Sequence, residues 1–391
     1  MHRSRARSAI AVLALASSAL AAAAPACGPG SIGDLTAGRA DAGPDASDER
    51  DASAEATTCV SAREPERPTT PDSTNGPVVV FALDDLRFET GEFDAGLGKP
   101  AGLDIDRTCT CPGPESCVPP PSNEPRACDG DGGRDNAIGP LLATLATLVE
   151  AFRPDAIRGQ IQAGAFTSLV TVQGWNGTPN DPQVIVSVRH SAGIEGIQND
   201  GGRTRPRFDG TDAWTVDPSS ILDGDALIGE SCEDKECVPL HLDARAYVRD
   251  DVLVAHFDVP IRAETKAGRL SLEFVAATLT AQILRDGGNL RLRGEVAGRW
   301  IAERVLATLP AVRGLFGKSL CGDDAVYKEM KKVVCASVDV AGDPAQDNKG
   351  APCTALSDAV SFSGSPARLG TVYRPPIDPT DCPGFVDTCP R

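Results

Sequence analysis

The chain is short of histidine, tryptophan and positive charge, and each shortage narrows what it can do. Four histidines occur in 391 residues, and His2 lies in an N-terminal leader, so only His190, His241 and His256 remain for acid–base or ligand chemistry. His256 sits among Val252, Val254 and Phe257 on an apolar strand pattern, where a structural role is the simpler reading. The sequence contains no Gly-x-Ser-x-Gly, no His-Glu-x-x-His and no phosphate-cradling glycine loop, which excludes the hydrolase, metalloprotease and nucleotide-binding classes those motifs mark. Trp175, Trp214 and Trp300 are the only tryptophans. They read as core or turn-packing residues, with stacking on a sugar ring as the functional alternative. Lysine and arginine number 38 against 55 acids, a net charge of −17. Such acidity repels nucleic acid and anionic headgroups, so neither is an expected partner. Beyond the leader, no run is long and apolar enough to cross a bilayer.

What the chain does have is cysteine, thirteen in all. Met1 to Arg7 carries three arginines and no acid, and Ser8 to Ala24 is an uncharged Ala/Leu/Val run. A basic start, a short apolar stretch and small residues read as a secretory signal over residues 1–26. Ala24-Pro25-Ala26-Cys27-Gly28 resembles the lipobox of bacterial lipoproteins, with Ala24 where Leu is usual. The resemblance implies acylation of Cys27 as the new N-terminus. Gly28, standing where Asp would signal inner-membrane retention, implies the outer membrane or cell surface. Setting Cys27 aside leaves an even twelve, as expected of paired cysteines in an oxidising compartment.

Loss of the leader arginines leaves 35 basic and 55 acidic residues, a net of −20. Residues 27–75 are rich in Asp, Ala, Gly, Ser and Pro and cannot bury enough apolar surface to offset chain ordering. This stretch is expected to be an extended acidic tether, with Cys59 stapling its second half to the body.

Residues 76–391 suffice for one large or two closely packed domains. Alternation dominates, with strands expected in Pro77–Leu83, Phe166–Gln173, Gln183–Arg189, Leu242–Arg249, Leu270–Ile283 and Leu290–Val296, and Val252–Ile261 a mostly apolar run. The phase slip after Phe274 predicts a bulge near Val275–Ala277, and Asp286-Gly287-Gly288-Asn289 predicts a turn. Successive strands with short Gly/Asp turns predict a mainly β fold, an antiparallel sandwich of jelly-roll or concanavalin-like type. Helices are expected at 137–152, 300–309 and 325–334.

The stretch around Cys109, Cys111, Cys117 and Cys128 is too poor in apolar residues to hold itself, so bridges are expected to do so. Its Cys-x-Cys spacing and the export signal favour disulfides over zinc. Cys232 and Cys237 predict a local clip. Cys321 and Cys335, roughly 21 Å apart on a straight helix, cannot pair, and Cys335 with Cys353 is the preferred alternative. Cys382 and Cys389 complete the set.

The strongest candidate site is Cys128-Asp129-Gly130-Asp131-Gly132-Gly133-Arg134-Asp135-Asn136. Carboxylates two and six residues apart, with glycines between, let a short loop aim its oxygens at one point, as calcium requires. Asp129, Asp131, Asp135 and Asn136 are the candidate ligands. The loop resembles the Asp-x-Asp-Gly calcium loops of thrombospondin type 3 repeats and dockerins. It departs from an EF-hand, which needs Glu at the twelfth position, here Pro140. Asp104 and Asp106 are positioned to add oxygens if the Cys-rich loop, residues 104–136, folds back. The alternative is a Gly/Asp turn in which Asp135 or Asn136 caps the following helix.

Trp175-Asn176-Gly177, Asn180-Asp181, Asp209-Gly210-Thr211-Asp212-Ala213-Trp214, Gly298-Arg299-Trp300 and Cys353-Thr354-Ala355-Leu356-Ser357 together resemble a set of uncharacterised, predicted bacterial lipoproteins. The resemblance implies no activity. The expectation is therefore a surface-anchored lipoprotein with a binding or structural role at the cell envelope, its partner a glycan or envelope protein. A secreted polysaccharide hydrolase using a carboxylate pair is the alternative.

Overall fold

A computed structural model describes residues 59–69, 76–88, 101–110, 113–121, 128–149, 153–196, 205–265, 268–286, 288–313, 317–376 and 381–390. The signal, the lipobox with Cys27, most of the tether, and Cys111 lie outside these residues.

Eight strands close into an antiparallel barrel: β1 (Val79–Phe88), β2 (Thr167–Gln173), β3 (Asp181–Ser191), β5 (His241–Arg249), β6 (Val252–Thr265), β7 (Gly268–Asp286), β8 (Asn289–Ile301) and β9 (Ala355–Pro366), with β9 returning to β1. A mainly β, antiparallel chain is what the alternation predicts. The sheet, however, does not divide into the two facing layers of a sandwich, because Phe81–Phe88 of β1 pairs with Val360–Pro366 of β9 and closes it. Closure removes both sheet edges. Every second residue along the wall joins one buried cluster, as in Val184, Val186 and Val188 of β3, or Leu253, Ala255 and Phe257 of β6. Short strands β4 (Ala213–Val216) and β10 (Arg368–Val372) pair in parallel outside the barrel. They bury Trp214, Val216 and Val372 in a second cluster.

The bulge stands where the phase slip predicts it. Pairing of β7 with β8 jumps between Val275 and Thr278, and Ala276 takes a left-handed φ of 49°. Its free N–H donates to Asp258 Oδ1 at 2.7 Å, so the unpaired backbone group is not orphaned. The turn at 286–289 also stands, joining Asp286 to Asn289.

Among the described residues four helices flank the barrel: α1 (Ile138–Leu148), α2 (Pro154–Gln162), α3 (Ala302–Thr308) and α4 (Ala325–Ala336). Leu141, Leu142 and Leu145 of α1 are buried, the stripe expected of a helix packed on a sheet. Asp324 caps α4 by accepting from Tyr327 N at 3.0 Å. α2 is not among the expected helices, although Pro154 at its start, Asp155 in its first turn and buried Ile157 and Ile161 are helix signals. Among the described residues no helix is long and apolar enough to cross a membrane.

Five disulfides join described cysteines, and Cys128 is also disulfide-bonded. Cys232–Cys237 is the local clip, and Cys59–Cys109 staples the end of the tether region to the body. The expected Cys335–Cys353 pair does not form. Cys117 takes Cys353, because Val118 N donates to Ala351 O and Cys353 N to Val118 O, laying the two segments side by side. Cys335 instead takes Cys389, and Cys321 takes Cys382, clamping the tail onto α4. Tyr327 and Lys331 add bonds to Asp387 at 2.7 and 2.6 Å. Two cysteines of the Cys-rich stretch, Cys109 and Cys117, are bridged to partners far along the chain, and Cys128 is also disulfide-bonded.

Candidate acidic site on the barrel wall

Residues 101–106 lie on the outer face of β8 and β9, where Ala101 and Leu103 pack on Ala297 and Ala359 in a small buried cluster. The loop 130–136 meets this segment edge-on: Asp135 N donates to Leu103 O at 3.1 Å, and Ile105 N returns a bond to Asp135 Oδ2 at 2.8 Å. Asp104, Asp106 and Asp135 thereby come together, each offering an oxygen within 4.8 Å of the others, and all three are buried. The fold-back that would bring Asp104 and Asp106 to the loop is therefore present.

Backbone and side-chain donors fix these carboxylates. Thr108 N donates to Asp104 Oδ1 at 2.9 Å and to Asp106 Oδ1 at 2.8 Å, and Ser116 Oγ donates to Asp106 Oδ2. Asn348 closes the site from the other side, with Nδ2 on Asp106 O at 3.3 Å and Oδ1 accepting from Thr108 Oγ1 at 3.0 Å. Asp104 Oδ2 is buried and has no partner. It lies beside Gly133, where a Cβ would stand 2.8 Å from Cys109 Sγ and 3.2 Å from this oxygen, so the position has no room for a side chain.

The expected ligands divide. Asp135 belongs to the cluster. Asp129 is half-buried beside it and accepts from Thr110 N at 2.5 Å. Asp131 is exposed. Asn136 performs the alternative role, its Oδ1 accepting from Gly139 N at 3.1 Å at the start of α1.

Negative charge accumulates without an equal supply of cations. Burial, reinforced by the charges of Asp104 and Asp347, pushes Asp106 up to about 6 against its bond from Ser116. Burial likewise lifts Asp129 to about 6. Asp135 is held well above the usual carboxylate range, first by burial and then by Asp106, Asp339 and Asp129. Asp339, nearby, rises to about 7, mainly from burial and against two bonds from Ser357. Arg299 and Arg134 stand close, and Arg299 Nη1 is buried without a partner. Arg299, 1% exposed, donates to Ile105 O at 2.9 Å and pairs with Asp347 at 2.6 Å. Arg134 donates to Gly102 O. Three oxygens this close, under cover, are arranged to share protons or enclose a cation. They do not flank a sugar-sized cleft as a glycosidase pair does. The groove of 310 Å³ between residues 63–65 and the barrel wall is lined by Arg63, Arg293 and Glu295, and by none of the three.

No protein-family model, curated protein or solved structure matches the chain.

Asp339, Arg299, Asp347 and Asn348 have no signal in the sequence. They lie far along the chain from Asp104 and Asp106, and the β8–β9 pairing, the Cys117–Cys353 bridge and the bonds of Asp339 N to Ala355 O and Asn348 N to Ser116 O bring them to the site. The three tryptophans are all buried, at 5%, 0% and 2% exposure for Trp175, Trp214 and Trp300. His256 lies between Glu64 and Asp243 at 3.7 and 3.9 Å.

Proposed function

We propose that this chain is an exported protein held at the cell envelope by a lipid on Cys27, with the acidic stretch ahead of Cys59 as tether and the barrel as a binding or structural module for a glycan or envelope protein. The supporting observation is the disulfide network, above all Cys59–Cys109, which fixes the chain to the body where the tether ends. Disulfides in such number suit an oxidising compartment. The staple also transmits load from an anchor to the barrel without loading the hydrogen bonds of residues 60–69. Those bonds include Tyr247 Oη to Pro65 O at 2.5 Å, and Arg67, which reaches Pro182 O at 2.5 Å and lies 4.6 Å from the Tyr247 ring centre.

The test is expression of the full chain in a bacterial host fed an alkyne fatty acid. The wild type should carry the label and sediment with membranes, and Cys27→Ala should carry none and become soluble. An unlabelled wild type, or a Cys27→Ala variant that stays on membranes, would refute the anchor.

A further inference from the structure

We propose that Asp104, Asp106 and Asp135 hold one calcium ion, and that this ion fastens residues 59–69 to the body. Oxygens on opposite sides of a calcium ion at about 2.4 Å stand about 4.8 Å apart, and these three carboxylates offer oxygens within 4.8 Å of one another. Beyond the cluster itself, Asp104 Oδ2 is buried and unpartnered beside Gly133, while Oδ1 of the same carboxylate is anchored by Thr108 N. A carboxylate oxygen withdrawn from water with no donor is costly unless a cation meets it. Nearby, Arg299 bonds Ile105 O and Asp347 through Nη2, and Arg134 bonds Gly102 O. An all-oxygen, multiply charged cage suits a hard divalent ion, and calcium's looser geometry suits carboxylates whose directions are already set by the backbone.

The link to residues 59–69 is direct. Ala62 N donates to Gly132 O at 2.7 Å, and Asp104 N donates to Ala62 O at 2.9 Å. Ala62 therefore bridges the two segments that supply the carboxylates. Mutual repulsion of empty carboxylates parts those segments, and the ion draws them together against Ala62.

The experiment uses the full oxidised chain, stripped with EGTA and then given calcium or magnesium alone. Calcium should raise the melting temperature by roughly 5 °C when it stands a hundred-fold above its dissociation constant, and magnesium should do less. Calcium should also slow tryptic cleavage after Arg63 several-fold. Asp104→Asn keeps the shape and removes the charge, so in EGTA it should melt at or above the wild type while losing both responses. Asp131→Ala, outside the cluster, should keep them. Wild type unmoved by calcium in both assays, or Asp104→Asn responding like wild type, would overturn the site. A melting shift without protection at Arg63 would overturn the fastening.

Discussion

Replacing Arg299 by methionine removes a buried cation that bonds both Ile105 O and Asp347 beside the acidic site. Its guanidinium, 1% exposed, bonds Ile105 O, the carbonyl between Asp104 and Asp106, and pairs with Asp347 across side chains that are 2% and 12% exposed. Burial already raises Asp347 against the opposing bond and charge of Arg299, and its Oδ1 has no partner. Stripping one member of such a pair leaves the other charge buried and alone, a loss of about 3–5 kcal/mol. For a body this large, about 2 °C per kcal/mol converts that to a fall of about 6–10 °C in melting temperature. Asp347→Leu should fall similarly, by stranding the guanidinium. The double variant Arg299→Met/Asp347→Leu should lose far less than the sum, since both desolvation penalties vanish together, giving a coupling of at least about 2 kcal/mol. Calorimetry of the four oxidised proteins in EGTA measures the cycle. Additive losses would mean that the pair is not the clamp argued here.

Two further outcomes follow from the same physics. Breaking Cys59–Cys109, which spans 50 residues, by paired serine substitution should cost about 4 kcal/mol, and breaking Cys232–Cys237, which spans 5, about 2 kcal/mol, since the longer loop restrains more of the unfolded chain; a larger loss at 232–237 in thermal unfolding would contradict this. Asp339, raised from 3.8 to about 7, holds more protons folded than unfolded, so its contribution is complete below about pH 4 and lost as pH rises through about 7. Melting in EGTA should accordingly fall across that window and fall less in Asp339→Asn, and equal slopes for the two proteins would refute the assignment.

Local features of the fold were legible and global ones were not. The bulge at Val275–Ala277 and the turn at 286–289 follow from side-chain phase, a property of neighbouring residues. Closure of the barrel follows from β1 meeting β9 near the far end of the chain, which no local alternation encodes. The local Cys232–Cys237 pair was readable from its spacing, but the long-range partners were not, because Cys117 and Cys353 are 236 residues apart. The acidic site was half legible. Glycines and aspartates mark the loop at 129–136 and the pair at 104 and 106, yet the spacing promoted exposed Asp131 and gave no hint of Asp104 Oδ2 buried without a donor.

The central claim, a calcium ion among Asp104, Asp106 and Asp135, is tested most directly by calorimetric titration of calcium into the EGTA-stripped, oxidised chain with the chelator removed. The account predicts one ion bound per chain, retained in Asp131→Ala and abolished in Asp104→Asn. No bound calcium in the wild type, or the same single site in Asp104→Asn, would contradict it.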